Sequence, residues 1–118
     1  MKKYFLAALL TVSSLTFVSA RIVNPVIPGD HPDPSVVEIN GEYWASATSN
    51  EWSPLFPIYK STDLENWELV NYVFPGGAPE WARNNFWAPE ISYDEKQGKV
   101  YIYYTCLLYT SDAADERS

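Results

Sequence analysis

From Pro32 onward, apolar and polar residues alternate in short runs broken by turn residues, the period-two pattern of half-buried strands. In "PDPSVVEINGEYWASAT" (Pro32 to Thr48) two such runs flank "NGE", which predicts a hairpin closed by a tight turn. "FPIYKSTD" (Phe56 to Asp63) predicts a third strand, and "NWELVNYVF" (Asn66 to Phe74) a fourth after the turn at "DLEN". Further on, "PEISYDEKQGKVYIYYT" (Pro89 to Thr105) repeats the strand–turn–strand reading around "QGK". No period of 3.6 is sustained beyond Ala20, so the predicted class is all-β.

The two hairpins are related. Pro32–Thr48 aligns with Pro89–Thr105 without a gap at an offset of 57 residues, placing Asp33 over Glu90, Gly41 over Gly98 and Thr48 over Thr105. A hairpin-built repeat of this length predicts propeller blades. Innermost strands of a propeller line one channel, so equivalent positions of successive blades converge, and the alignment puts Asp33 and Glu90 at one such position. Gathered carboxylates repel each other, an arrangement kept where it performs chemistry or binds something. The competing reading is that Asp33 only shapes a turn beside Pro34. Spacing alone leaves both open. Asp30 and His31 fall near the rim, and a lone histidine is more often a hydrogen-bonded structural residue than a catalyst or ligand.

The N-terminus changes the setting. "MKKYFLAALLTVSSLTFVSA" has a basic start, an apolar middle from Tyr4 to Val18 and small residues before a cleavage point after Ala20. Residues 1–20 therefore read as a signal peptide, and the protein is expected to be secreted or periplasmic. Without Lys2 and Lys3 the formal charge moves from −7 to −9, which disfavours nucleic acid and anionic lipid. No later run is long and apolar enough to span a bilayer, so no membrane partner is expected after cleavage. The single cysteine, Cys106, forms no internal disulfide, which leaves a hydrophobic core or closed architecture to hold an exported chain. There is no zinc-type ligand cluster, phosphate loop or catalytic Ser or Cys motif, so no metal or cofactor is expected here.

Taken in order, "NPVIPGDHPDPSVV", "YKSTDLENWELV" and "NFWAPEISYDEKQGKVYIYYT" resemble the N-terminal part of family 43 glycoside hydrolases. The resemblance implies a five-bladed β-propeller, with its first blade and part of its second carried by residues 21–105. It also implies inverting hydrolysis of glycosidic bonds in xylose- and arabinose-containing saccharides, of the β-xylosidase or α-L-arabinofuranosidase type. An endo-α-1,5-arabinanase and a non-catalytic carbohydrate-binding propeller are the alternatives. The "DPS" aspartate of the family is the general base and matches Asp33, and "HPDPSV" differs from the "NDPNG" of related propellers that use an aspartate nucleophile. Trp87 and Glu90 of "WAPE", with Trp52 ranked below Trp87, are implied to bind substrate; Trp87 and Phe86 as core aromatics is the competing view. Trp67 is expected in the blade core. A carbohydrate partner and a full-length monomer follow from the resemblance, and structural calcium is possible at residues beyond these.

The last residues break the pattern. Residues 106–116, "CLLYTSDAADE", resemble a translated sequencing-adapter read-through, so 106–118 is expected to be a non-native tail. The general acid and the aspartate that tunes it belong to later blades in the family. By itself this polypeptide is therefore expected to be inactive.

Overall fold

In the computed structural model, residues 21–108 are described; the expected signal peptide and the expected tail from residue 109 onward lie outside the described residues. The chain forms β1 (Ser35–Ile39), β2 (Glu42–Ser46), β3 (Leu55–Ser61), β4 (Glu68–Phe74), β5 (Ala82–Asp94) and β6 (Lys99–Leu108). The first four make one antiparallel sheet in sequence order, and β5 pairs with β6 in a second. This is one complete propeller blade followed by the inner hairpin of the next, with β5 packed beside β1.

Local chemistry sets the turns. Ile39 pairs with Glu42 across Asn40–Gly41, whose φ values of 54° and 82° are those of a type I′ turn. β3 ends at Ser61, and Asp63, three residues before Asn66, closes a turn there, which is why the fourth strand starts at Glu68 rather than Asn66. Its Oδ1 accepts from the backbone N–H groups of Glu65 (2.9 Å) and Asn66 (2.7 Å), while Oδ2 accepts from the Asn66 amide (2.7 Å). Asp94 repeats the device, accepting from Lys96 and Gln97 backbone N–H groups and from the Gln97 side chain. Trp67 is not in the core. It is half-buried over the first of these turns, because its indole N–H is drawn to the Leu64 carbonyl (3.0 Å) within that turn.

The second turn corrects the gapless repeat. Asp94 pairs with Lys99 across four residues, two more than the Asn40–Gly41 turn. Outgoing strands keep the offset of 57, but the incoming strand slips by two. Tyr103, the counterpart of Ser46, pairs with Glu90, whereas Ser46 pairs with Ser35. Glu90 therefore stands where Ser35 stands, and the counterpart of Asp33 falls in the irregular stretch between Trp87 and Glu90. Asp33 (φ 50°) and Ala88 (φ 48°) share the left-handed conformation there.

The core lies between the sheets. Leu55, Phe56, Ala82 and Phe86 are buried, with Val73, Phe74, Tyr104 and Cys106 packed against them. β6 runs three residues past Thr105, where the sequence repeat ends, and Leu107 and Leu108 pair with Asn84 and Ala82. Phe56 is the hub. It is fully buried, its ring lies 4.9 Å from Tyr104 and 6.0 Å from Phe86, and its backbone is left-handed (φ 53°). A bulky residue takes that conformation only where its surroundings over-determine it. Here burial and the Ser49 hydroxyl, which accepts the Phe56 N–H at 2.6 Å, do so.

Two outcomes follow for stability. Phe56→Ala lowers the unfolding free energy by about 3–5 kcal/mol, measured by denaturant titration, and exceeds the loss from Trp67→Ala. The Asp63 carboxyl is held well below the usual carboxylate range, first by the Asn66 N–H, then by the Asn66 amide, the Glu65 N–H and the Ser61 hydroxyl. A lowered folded value adds stability above the unfolded pKa of about 3.9, lost as pH falls through the folded value. Asp63→Asn is therefore destabilising at pH 7, and the difference from wild type shrinks below about pH 4, where the unfolded chain takes up the proton before the folded carboxylate does. A melting-temperature gap independent of pH would contradict this origin.

Candidate functional site

Hairpin pairing continues past the ends of β1 and β2. The Thr48 N–H donates to the Pro32 carbonyl at 3.0 Å, which brings the Thr48 side chain to Asp33. Asp33 is exposed at the mouth of the innermost strand, in a left-handed conformation that aspartate tolerates better than most residues. Its Oδ2 accepts the Thr48 hydroxyl at 3.0 Å, and Thr48 Oγ1 in turn accepts the Ala88 N–H at 2.7 Å. The carboxylate thus has one oxygen engaged and remains open to solvent, which suits it to accept a proton from water.

The loop after β2 is stapled to β5. Ser49 and Asn50 both donate backbone N–H bonds to the Phe86 carbonyl, and the Phe86 N–H returns one to Asn50. The Glu51 carboxylate accepts the Asn85 N–H at 3.2 Å. Alternation along β5 then separates the two aromatics. Phe86 is 1% exposed in the core, whereas Trp87 is 43% exposed, with its indole N–H fixed on Asn50 Oδ1. Of the two sequence readings, the structure gives Phe86 the core role and leaves Trp87 a fixed ring beside Ala88. Such a ring presents an apolar face to solvent.

Trp52 is 80% exposed and lines a cleft of about 360 Å³ with Asp30, His31, Thr48, Asn50 and Tyr59. The His31 ring is a structural element of this wall: Nε2 is 3.2 Å from the Pro28 carbonyl, which requires it to donate. The ring meets Tyr59 edge-on at 5.4 Å. Burial, then the neighbouring Tyr72 phenol, raises the Tyr59 hydroxyl above its ordinary value, so it stays protonated as a donor at neutral pH. Asp33, Trp87 and Trp52 are thus gathered around Thr48–Asn50. Glu90 is exposed on β5 and is not joined to Asp33 by the hairpin register.

Sequence motifs alone do not single out Thr48 and Asn50, which hold Asp33 and Trp87. The in-phase Thr48 and Thr105 are a visible signal for the first. Nothing in the sequence marks Asn50, whose role depends on a partner 37 residues away. Among the described residues, no group of three or more His, Cys, Asp and Glu side chains gathers as a metal site would require.

Comparison with known proteins converges on one family. The pattern of "Glycosyl hydrolases family 43" matches residues 22–118. A xylosidase/arabinosidase from Humicola insolens is 33% identical over 90 residues, covering 72% of this chain and 16% of that protein. A beta-xylosidase from Bacillus subtilis is 34% identical over 90 residues, with the same coverage of 72% and 16%. The crystal structure of a xylan beta-1,4-xylosidase from Bacillus halodurans superposes with a TM-score of 0.62 at 35% identity, covering 71% of this chain and 17% of that one. The chain thus spans about 16% of the length of the curated relatives it matches.

The division between the neighbouring aromatics is measurable. Phe86→Ala lowers the unfolding free energy by about 3–5 kcal/mol, whereas Trp87→Ala leaves the thermal midpoint close to that of the parent. Equal losses in a paired thermal unfolding measurement would return Trp87 to the core.

Proposed function

Because the chain belongs to glycosyl hydrolases family 43, we propose that the whole protein hydrolyses glycosidic bonds in xylose- or arabinose-containing saccharides with inversion, using Asp33 as general base. The observation that carries this reading is the Asp33 carboxylate at the mouth of β1, exposed to water and hydrogen-bonded by Thr48 beside the fixed Trp87 ring. Similarity to a xylosidase/arabinosidase and to a beta-xylosidase supports the substrate class.

In the proposed reaction a water oxygen bonds to the anomeric carbon while its proton passes to Asp33. The bond to the leaving oxygen breaks on the opposite face, and a carboxylic acid donates the proton that this oxygen takes up. Inverting enzymes hold the two carboxyl groups about 6.5–9.5 Å apart so that the water fits between them. Glu90 is not given the acid role: it occupies the place of Ser35 in the blade, not that of an acid paired with Asp33. Trp87 and Trp52 are proposed to pack against sugar faces, and Glu90 to accept hydroxyl hydrogen bonds. Export through the N-terminal 20 residues would place the enzyme where plant polysaccharide is found.

In the complete protein, Asp33→Asn lowers kcat by at least about 10²-fold, within the 10²–10⁴-fold range of general acid–base catalysis, with the melting temperature retained. Turnover of aryl xylosides and arabinosides reads the rate, and proton NMR of the first-formed sugar reads its anomeric configuration. Near-normal turnover in the variant, or retention of configuration, would remove Asp33 as an inverting base.

A further inference from the structure

We propose that Thr48 is the positioning residue of the Asp33 base, carrying the backbone of the second blade to the carboxylate through its hydroxyl. The inference rests on the general-base reading of Asp33 above.

A threonine hydroxyl has one proton to give and lone pairs to accept with. At Thr48 the Ala88 N–H occupies the accepting side at 2.7 Å, which directs the single proton toward Asp33 Oδ2 at 3.0 Å. The chain of donors runs one way: Ala88 N–H to Thr48 O–H to Asp33. Hydrogen bonds in series polarise one another, so the hydroxyl is a better donor for having accepted. The residue itself has little freedom. Its N–H is bonded to the Pro32 carbonyl, it is 6% exposed, and a β-branched side chain is stiff about χ1. With Oδ2 held, Oδ1 is the oxygen presented to water, and the hydroxyl that holds Oδ2 is itself oriented by the Ala88 N–H of the second blade. The adjacent Ser49 hydroxyl is engaged on the core side, where it accepts the Phe56 N–H.

A purely structural role would also use the hydroxyl, to satisfy the Ala88 N–H, so the test must separate the two. In the complete protein, Thr48→Val keeps the shape and removes the donor, whereas Thr48→Ser keeps the donor and removes a methyl group. The expected result is a kcat loss of about 10- to 100-fold for Thr48→Val, the scale of one hydrogen bond to a charged group, with KM little changed. Thr48→Ser restores kcat to within about threefold, since it keeps that bond. Adding Thr48→Val to Asp33→Asn gives no further loss, because the two side chains act as one unit. Wild-type kcat in a folded Thr48→Val, equal losses in the Ser and Val variants, or additive losses in the double variant would each overturn the proposal. Should Thr48→Val not fold, Thr48→Cys carries the test, because its weak S–H donor predicts a reduced kcat and an unchanged one refutes it. An active Asp33→Asn enzyme would instead defeat the base assignment, whatever Thr48 does.

Discussion

The seam between the Thr48–Glu51 loop and Asn85–Ala88 of β5 is the constraint on which the rest of the molecule depends. It joins two sheets that have no strand in common, through backbone bonds between Ser49, Asn50 and Phe86 and side-chain bonds from Thr48, Asn50 and Glu51. The core sits directly behind it. Ser49 uses its N–H on Phe86 and its hydroxyl on Phe56, so one residue ties the seam to both buried rings. Loss of alignment here would move the core and the candidate site together.

Carboxylates serve two different ends in this chain. Asp63 and Asp94 each collect nearby backbone N–H groups and an amide three residues on, a local use that any isolated turn could satisfy. Asp33 is different. Its one side-chain donor comes from Thr48, fifteen residues away and itself held by the next blade. A carboxylate spent on its own turn has little capacity left for chemistry, whereas one held by a single distant hydroxyl keeps an oxygen free. That contrast, rather than acidity of composition, separates the proposed base from the aspartates that build turns.

Among the described residues the second sheet has two strands, and both faces of β6 carry exposed apolar residues, including Val100, Tyr103, Leu107 and Leu108. Tyr101 and Tyr103 stack on each other at 6.3 Å. An apolar groove of about 380 Å³ runs between the hairpins, lined by Ile39, Trp44, Ile58, Ile91, Val100 and Ile102. In the first blade, by contrast, β2 and β3 each have partners on both sides. An open edge with apolar neighbours is a template for another strand, and the much greater length of the relatives is in keeping with this.

By itself the sequence determined what depends on neighbours along the chain. The period-two runs and Asn40–Gly41 specify the first hairpin, Asp63–Asn66 turns the third strand into the fourth, and the ordered motifs single out Asp33. The tertiary structure alone decided what depends on distant partners. Glu90 lost its apparent equivalence to Asp33 because a two-residue difference in turn length is invisible in a gapless alignment but shifts a whole strand. Phe86 and Trp87 are adjacent aromatics with no local difference to sort them; strand alternation and the Asn50 bond send one to the core and one to the surface. Packing sets Thr48 against Ala88, forty positions on. Its hydroxyl has a direction only because two segments far apart in sequence approach it from opposite sides.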